Sequence, residues 1–234
     1  MILNNLKSDL KKSANPKKAK ILQRFFKTGK GEYGEGDIFL GITVPELRKL
    51  AKKFLNLSFK DIEIILESKI HEERLIALLI LVENYKKSDI EKRKEIFDFY
   101  LNNIKKINNW DLVDLSVDKI IGNYLSDKPK NILYKLASSD NLWEKRISII
   151  STFQFIKNNQ FSDTLKIAKI LIKDKHDLIH KAVGWMLREI GKRNQEAEES
   201  FLKKHYKNMP RTMLRYAIEK FSEEKIQLYL KGKI

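Results

Sequence analysis

Apolar residues recur three and four positions apart over almost the whole chain, the repeat of amphipathic helices rather than of strands. Start signals stand ahead of these stripes. Thr43-Val44-Pro45-Glu46 is a capping box with Pro in the first turn, and it opens the stripe Leu47, Leu50, Phe54. Ser58 with Asp61 precedes Ile62, Ile65 and Leu66; Ser88 with Glu91 precedes Ile96, Phe97, Tyr100, Leu101 and Ile104. Asp127 with Pro129, then Asp140, Ser162, Asp177, Asn194 and Ser222, are further candidate starts. The pattern predicts roughly twelve to fourteen short helices joined by loops of a few residues. Only residues 29–41 (GKGEYGEGDIFLG) interrupt it, with five of the nine glycines.

Grouped in pairs, the helices start near residues 43, 71, 110, 140, 177 and 210. Intervals of roughly 30–40 residues are the spacing of two-helix repeats of the HEAT or armadillo kind. The expected fold is therefore all-α, a HEAT-like or armadillo-like helical solenoid, with residues 1–234 as a single domain. The repeats are unlike in sequence, so an irregular all-α bundle is the alternative on spacing alone.

Charge narrows the choice of partner. Lys and Arg total 47 against 31 Asp and Glu, a net charge of +16, which favours polyanions, nucleic acid first and anionic membrane second. The excess is uneven: residues 1–30 hold nine Lys or Arg and one acid, Asp9, whereas residues 61–104 hold ten acids and seven bases. No cysteine is present, which excludes disulfides, thiol nucleophiles and thiolate metal sites. No apolar run approaches the roughly 18 residues of a membrane span, and the N-terminus lacks the apolar core of a secretory signal. The expectation is a cytoplasmic protein.

Candidate chemistry centres on Ile107 to Lys119. Trp110 and Asp114 are four apart and share a helical face. Asn108 or Asn109 can cap this helix, and Asp111 in its first turn suits the dipole, but capping does not account for Asp114. A core indole beside an acid paired to a neighbouring helix is the plainer account of the pair taken alone. Asp118 continues the face and reads equally as a solvated charge. Arg146, after Leu142 and Trp143, starts an apolar helix and suits either a carboxylate or a phosphate. Trp185 and Arg188 are three apart, with Gly184 thinning the helix for a close approach. Lys192 and Arg193, then Arg211 and Arg215, are candidate phosphate ligands. His176 and His180 have metal-helix spacing but lack the glutamate and further ligands such a site needs, so no metal is expected. The glycine segment lacks the Gly-Lys-Ser/Thr of a phosphate loop and reads as a flexible loop beside the site.

These segments in order, W-x-x-x-D, L-W-x-x-R and G-W-x-L-R-E, together with residues 36–48 and 209–217, resemble the DNA alkylation repair family, the AlkD type of HEAT-like DNA glycosylase. The resemblance spans roughly residues 33 to 221. It implies a glycosylase that removes N3-alkyladenine and N7-alkylguanine from DNA, making its contacts without a deep pocket for a flipped base. The expected enzyme is a monomer without cofactor acting on duplex DNA, and, because no lysine is singled out as a Schiff-base nucleophile, it is monofunctional. By motif match, Trp110, Asp114 and Trp185 take the active-site positions and Arg146 the nearby basic one, with Tyr33 as a further aromatic. Some relatives with this fold lack the Trp/Asp set and bind DNA without evident excision; this chain keeps the set. The alternatives are a non-catalytic helical-repeat module for distorted or branched nucleic acid, and a protein-binding scaffold.

Overall fold

The computed structural model describes residues 2–234. The chain divides into two compact units, Met1–Ser116 and Val117–Ile234. Both are helical, as the periodicity requires, and among the described residues the only strand-like pairing is a single parallel bridge between Ile38 and Ile70.

The first unit runs α1 (Ile2–Lys12), α2 (Pro16–Phe25), the glycine-bearing loop, α3 (Val44–Ala51), α4 (Phe59–Leu66), α5 (His71–Lys87), α6 (Ile90–Asn102) and α7 (Trp110–Asp114). Its centre is α5. Leu75 to Val82 is apolar at every position, so the helix has no solvent face along this stretch, and α3 and α4 pack against it. Helices of eight residues such as α3 and α4 are too short to persist alone. Their N-terminal ends are closed by the expected capping box at Thr43/Glu46 and by a second one at the start predicted for Ser58 and Asp61.

The loop between α2 and α3 is tied down rather than loose. Gly29 and Gly31 donate N–H bonds to Glu32 and Glu35, and Ile38 bonds the backbone on both sides of Ile70. Gly41 is obligatory there. Its φ of +83° is a left-handed value, and a Cβ would collide with the backbone of Asn15 and Ala19 at the start of α2.

The second unit opens with a π-helical turn, Asp118–Gly122, followed by α8 (Asn131–Ala137), α9 (Leu142–Ser151), α10 (Phe153–Lys157), α11 (Ser162–Leu171), α12 (Asp177–Gly191), α13 (Gln195–His205), α14 (Arg211–Ala217) and α15 (Glu223–Leu230). Here α8 packs on α9, and α12 packs on α9, α13 and most closely α14. The close approach that Gly184 permits is to α14: a Cβ at this position would stand 2.5 Å from the Met213 carbonyl oxygen and from Tyr216 Cβ.

Several starts shift by a residue or more. Asp89, not Ser88, caps α6 because its carboxylate accepts from Lys92 N while the Ser88 hydroxyl turns back to Asn84 O. Asn141, not Asp140, caps α9, and α8 begins at Asn131, beyond Asp127 and Pro129. Phe161 and His176 occupy the positions before Ser162 and Asp177, and His176 Nδ1 accepts from Leu178 N. The stretch from Ile107 to Lys119 is not one helix, since α7 ends at Asp114.

One carboxylate in the second unit is buried without compensation. Glu198 is 1% exposed, its Oε1 has no hydrogen-bond partner, and its other oxygen lies against Gly191, where any Cβ would collide with it. Burial pushes its pKa up to about 8, the neighbouring Glu199 charge adds to this, and Arg188 only partly opposes it. The folded state therefore holds a proton that an ordinary glutamate, with pKa 4.5, has lost. Stability falls as pH rises from 4.5 to about 8, and the full cost remains above that. We predict that Glu198→Gln is more stable than the wild type at pH 9, on the order of 1–3 kcal/mol. The difference should close near pH 4, as read by urea denaturation at the two pH values.

Candidate active site

In the first unit, α2, the loop and α5 enclose a cavity of about 450 Å³ whose wall includes both Trp110 and Asp114. One side is aromatic. The Phe26 ring stacks on the Trp110 indole at 5.0 Å with an interplanar angle of 8°, and Phe25 meets the same indole edge-on at 6.0 Å. Phe39 continues the layer behind Phe26 at 4.8 Å. Phe25 and Ile21 remain 61% and 68% exposed, so the apolar surface of α2 reaches solvent where it borders the cavity. Stacked and edge-on pairs of this kind each add about 0.5–1.5 kcal/mol beyond their buried area.

Trp110 and Asp114 open and close the five-residue α7, so both are half-buried and both reach the cavity. A one-turn helix cannot hold two side chains in place by itself. It is held at its N-terminus by Asn109, whose Oδ1 accepts from Trp110 N at 2.8 Å and whose amide donates to Asp37 Oδ2 at 3.2 Å. Asp111 is buried and accepts from His71 Nε2 at 2.8 Å. The other ring nitrogen of His71 donates to Asp37 Oδ2 at 3.1 Å. Arg74 closes the set, with one guanidinium nitrogen at 2.8 and 2.7 Å from the two Asp37 oxygens.

This arrangement fixes the charge states. Burial alone would lower the His71 pKa, but the Asp111 charge and the hydrogen bonds to Asp111 and Asp37 outweigh it and raise the value to about 9. Burial alone would raise Asp37, and the bonds from His71 and Arg74 overcome it and hold the carboxyl below its usual range. Glu72 also faces the cavity, but its carboxylate accepts from the Leu40, Gly41 and Ile42 N–H groups and anchors the loop.

In the second unit, Trp185 is half-buried on α12 with Phe153 at 5.7 Å, and its indole N–H donates to Glu189 at 3.1 Å. Arg146 is buried at 5% exposure and donates to the Leu178 carbonyl at 2.5 Å.

With this geometry set beside known proteins, the family model described as DNA alkylation repair enzyme matches residues 6–221. The chain belongs to the DNA alkylation repair enzyme family. Among solved structures, the chain is similar to one described as "Predicted DNA alkylation repair enzyme from Enterococcus faecalis". The TM-score is 0.71 at 18% identity, covering 90% of this chain and 98% of that one, and it supports the all-α fold. No curated protein matches.

The other basic residues singled out in the sequence fall into two groups. Arg188 pairs with Glu219, Lys192 with Glu189 at 2.6 Å, and Arg211 donates to the Leu230 carbonyl at 2.6 Å, so each already serves an internal bond. Arg193 and Arg215 are exposed. Tyr33 is half-buried in the loop and is not part of the cavity wall, where Phe25 and Phe26 supply the aromatic surface instead. Asp118 is not a solvated charge: it is 2% exposed, with Lys119 at 2.7 Å and Lys157 at 2.9 Å. Trp143 is half-buried. His176 serves as a cap, and His180 Nε2 donates to the Asp174 carbonyl at 2.6 Å.

Sequence reasoning missed Asp37, His71 and Arg74. A signal for two of them was present: the eight-residue apolar run of α5 follows His71-Glu72-Glu73-Arg74 directly, and charges in a first turn that leads into a buried run must be buried and paired. We predict that Asp37→Asn, which leaves Arg74 and His71 without their shared counter-charge, destabilises the protein by about 3–5 kcal/mol in urea denaturation at pH 7.

Proposed function

We propose that this member of the family is a monofunctional DNA glycosylase releasing positively charged N3-alkyladenine and N7-alkylguanine from duplex DNA, acting as a cytoplasmic monomer. The observation that carries the reading is the half-buried Asp114 carboxylate in a cavity beside stacked aromatic rings. Alkylation at N3 or N7 places a positive charge on the purine. When the N-glycosidic bond breaks, the base takes the bonding pair and leaves neutral, so no strong general acid is required. Positive charge then develops on the sugar. A carboxylate in a partly dry site opposes that charge, and it can orient the water that adds to C1′ and take up its proton. Indole faces attract cationic groups by roughly 0.5–2 kcal/mol, depending on desolvation.

Trp185 and Arg146 are proposed as contributors on the family motif. For DNA contact, Arg193 and Arg215 fit a backbone role directly, while Arg188, Lys192 and Arg211 would exchange internal partners for phosphate. Hydrolysis of this kind needs no cofactor, and no lysine is singled out for a lyase step.

The test is release of free base from duplex DNA methylated on purines, under single turnover, for wild type and Asp114→Asn. Release by wild type and a loss of about 100-fold or more in the variant, at unchanged DNA affinity, is expected. No release by either, despite tight binding, would move the reading to a non-catalytic module for distorted or branched nucleic acid. Affinity should also fall steeply between low and physiological salt, with the counterion-release slope of phosphate contacts. Salt-independent or absent binding would favour a protein-binding scaffold.

A further inference from the structure

The proposed chemistry makes no use of His71, yet this residue lines the cavity and is buried and bonded at both ring nitrogens. Both ring nitrogens lie within hydrogen-bond distance of a carboxylate oxygen, Nδ1 of Asp37 at 3.1 Å and Nε2 of Asp111 at 2.8 Å. A neutral imidazole has only one N–H and would turn a lone pair toward one of these acids. Geometry alone therefore calls for the imidazolium, and the elevated pKa agrees with it.

Two routes lead from this ring to Trp110. One is polar: Nε2 bonds Asp111 within α7, while Nδ1 bonds Asp37, which also holds the capping residue Asn109. The other is apolar: the His71 ring lies 4.9 Å from Phe26, and Phe26 stacks on the Trp110 indole at 5.0 Å. Phe39 supports the imidazole from a further side at 4.5 Å and 21°. The charged groups facing His71 are Asp111 from α7, Asp37 from the loop and Arg74 from its own helix; Glu72, Asp114 and Lys18 line the same cavity. Asp37, Asp111, Arg74 and a charged His71 sum to zero, so the buried cluster is neutral only while the imidazole keeps its second proton.

We propose that the His71 imidazolium is a positioning residue that locks the one-turn helix α7, and with it the settings of Trp110 and Asp114, through a charged bond to Asp111 and ring contacts relayed by Phe26. Its consequence for base release rests on the glycosylase reading; its structural content does not. Loss of the proton leaves Asp111 buried against a neutral ring and frees one end of the helix.

Two measurements on the full chain test this. Nitrogen-15 NMR of the histidine side chains should show both His71 ring nitrogens protonated at pH 7.5. As His71 titrates above pH 8, the Trp110 indole N–H resonance, assigned by its absence in Trp110→Phe, should shift in step. A single ring proton on His71 at pH 7.5, or an indole signal that stays fixed through the titration, would overturn the proposal. The second measurement is single-turnover base release at pH 7.5. His71→Gln should lower the rate about 10- to 100-fold at unchanged DNA affinity, as misplacement of a reacting group does. The double variant His71→Gln/Asp111→Asn removes one charge of each sign and can replace the ion pair with an amide–amide bond, so it should recover most of the rate. A folded double variant no faster than the single one would overturn the proposal. If wild type releases no base, the glycosylase reading fails, and the indole titration still decides whether His71 sets α7.

Discussion

The Asp37 carboxylate is the anchor on which the arrangement of the first unit's cavity depends. It accepts from Arg74 and His71 at the start of α5 and from Asn109 at the cap of α7, while Gln23 of α2 donates to its backbone carbonyl. A carboxylate buried this far is tolerable only when its charge is matched and its lone pairs are used. Each requirement brings another element into place. The result is a short chain of alternating charge, from Arg74 through Asp37 and His71 to Asp111, that ends in the helix carrying Trp110 and Asp114. The remaining carboxylate of α5's first turn that faces the cavity, Glu72, holds the loop by its backbone N–H groups.

The same rule of matched charge shapes how the net charge of +16 is displayed. Arg188 and Lys192 in the second unit are committed to carboxylates, Arg211 to a backbone carbonyl, and Lys119 and Lys157 flank the buried Asp118. Basic groups on α2, by contrast, lie along a helix with no acidic residue and no fully buried side chain. That helix borders the cavity through Ile21 and Phe25, so apolar and positive surface meet on one element beside Asp114. Glu198 is the exception in the second unit, a buried acid balanced by protonation instead of by a partner.

Sequence and structure divide the explanation along a physical line. Helix content, most helix positions, the capping boxes at Thr43 and Ser58, the caps at Asn109, Asn194 and Ser222, and the shared face of Trp110 and Asp114 are local properties. Hydrophobic period and side-chain hydrogen bonding over three or four residues specify them, so one chain read in order suffices. Caps slipped where two polar residues stood side by side, as at Ser88/Asp89 and Asp140/Asn141, because either can serve and the neighbouring packing chooses. What only the tertiary structure decided are pairings across long separations. Asp37 with Asn109, His71 with Asp111, Phe26 with Trp110, and Asp118 with Lys157 join residues whose sequence spacing carries no period. Burial made those polar pairs obligatory, and burial is settled by the fold as a whole.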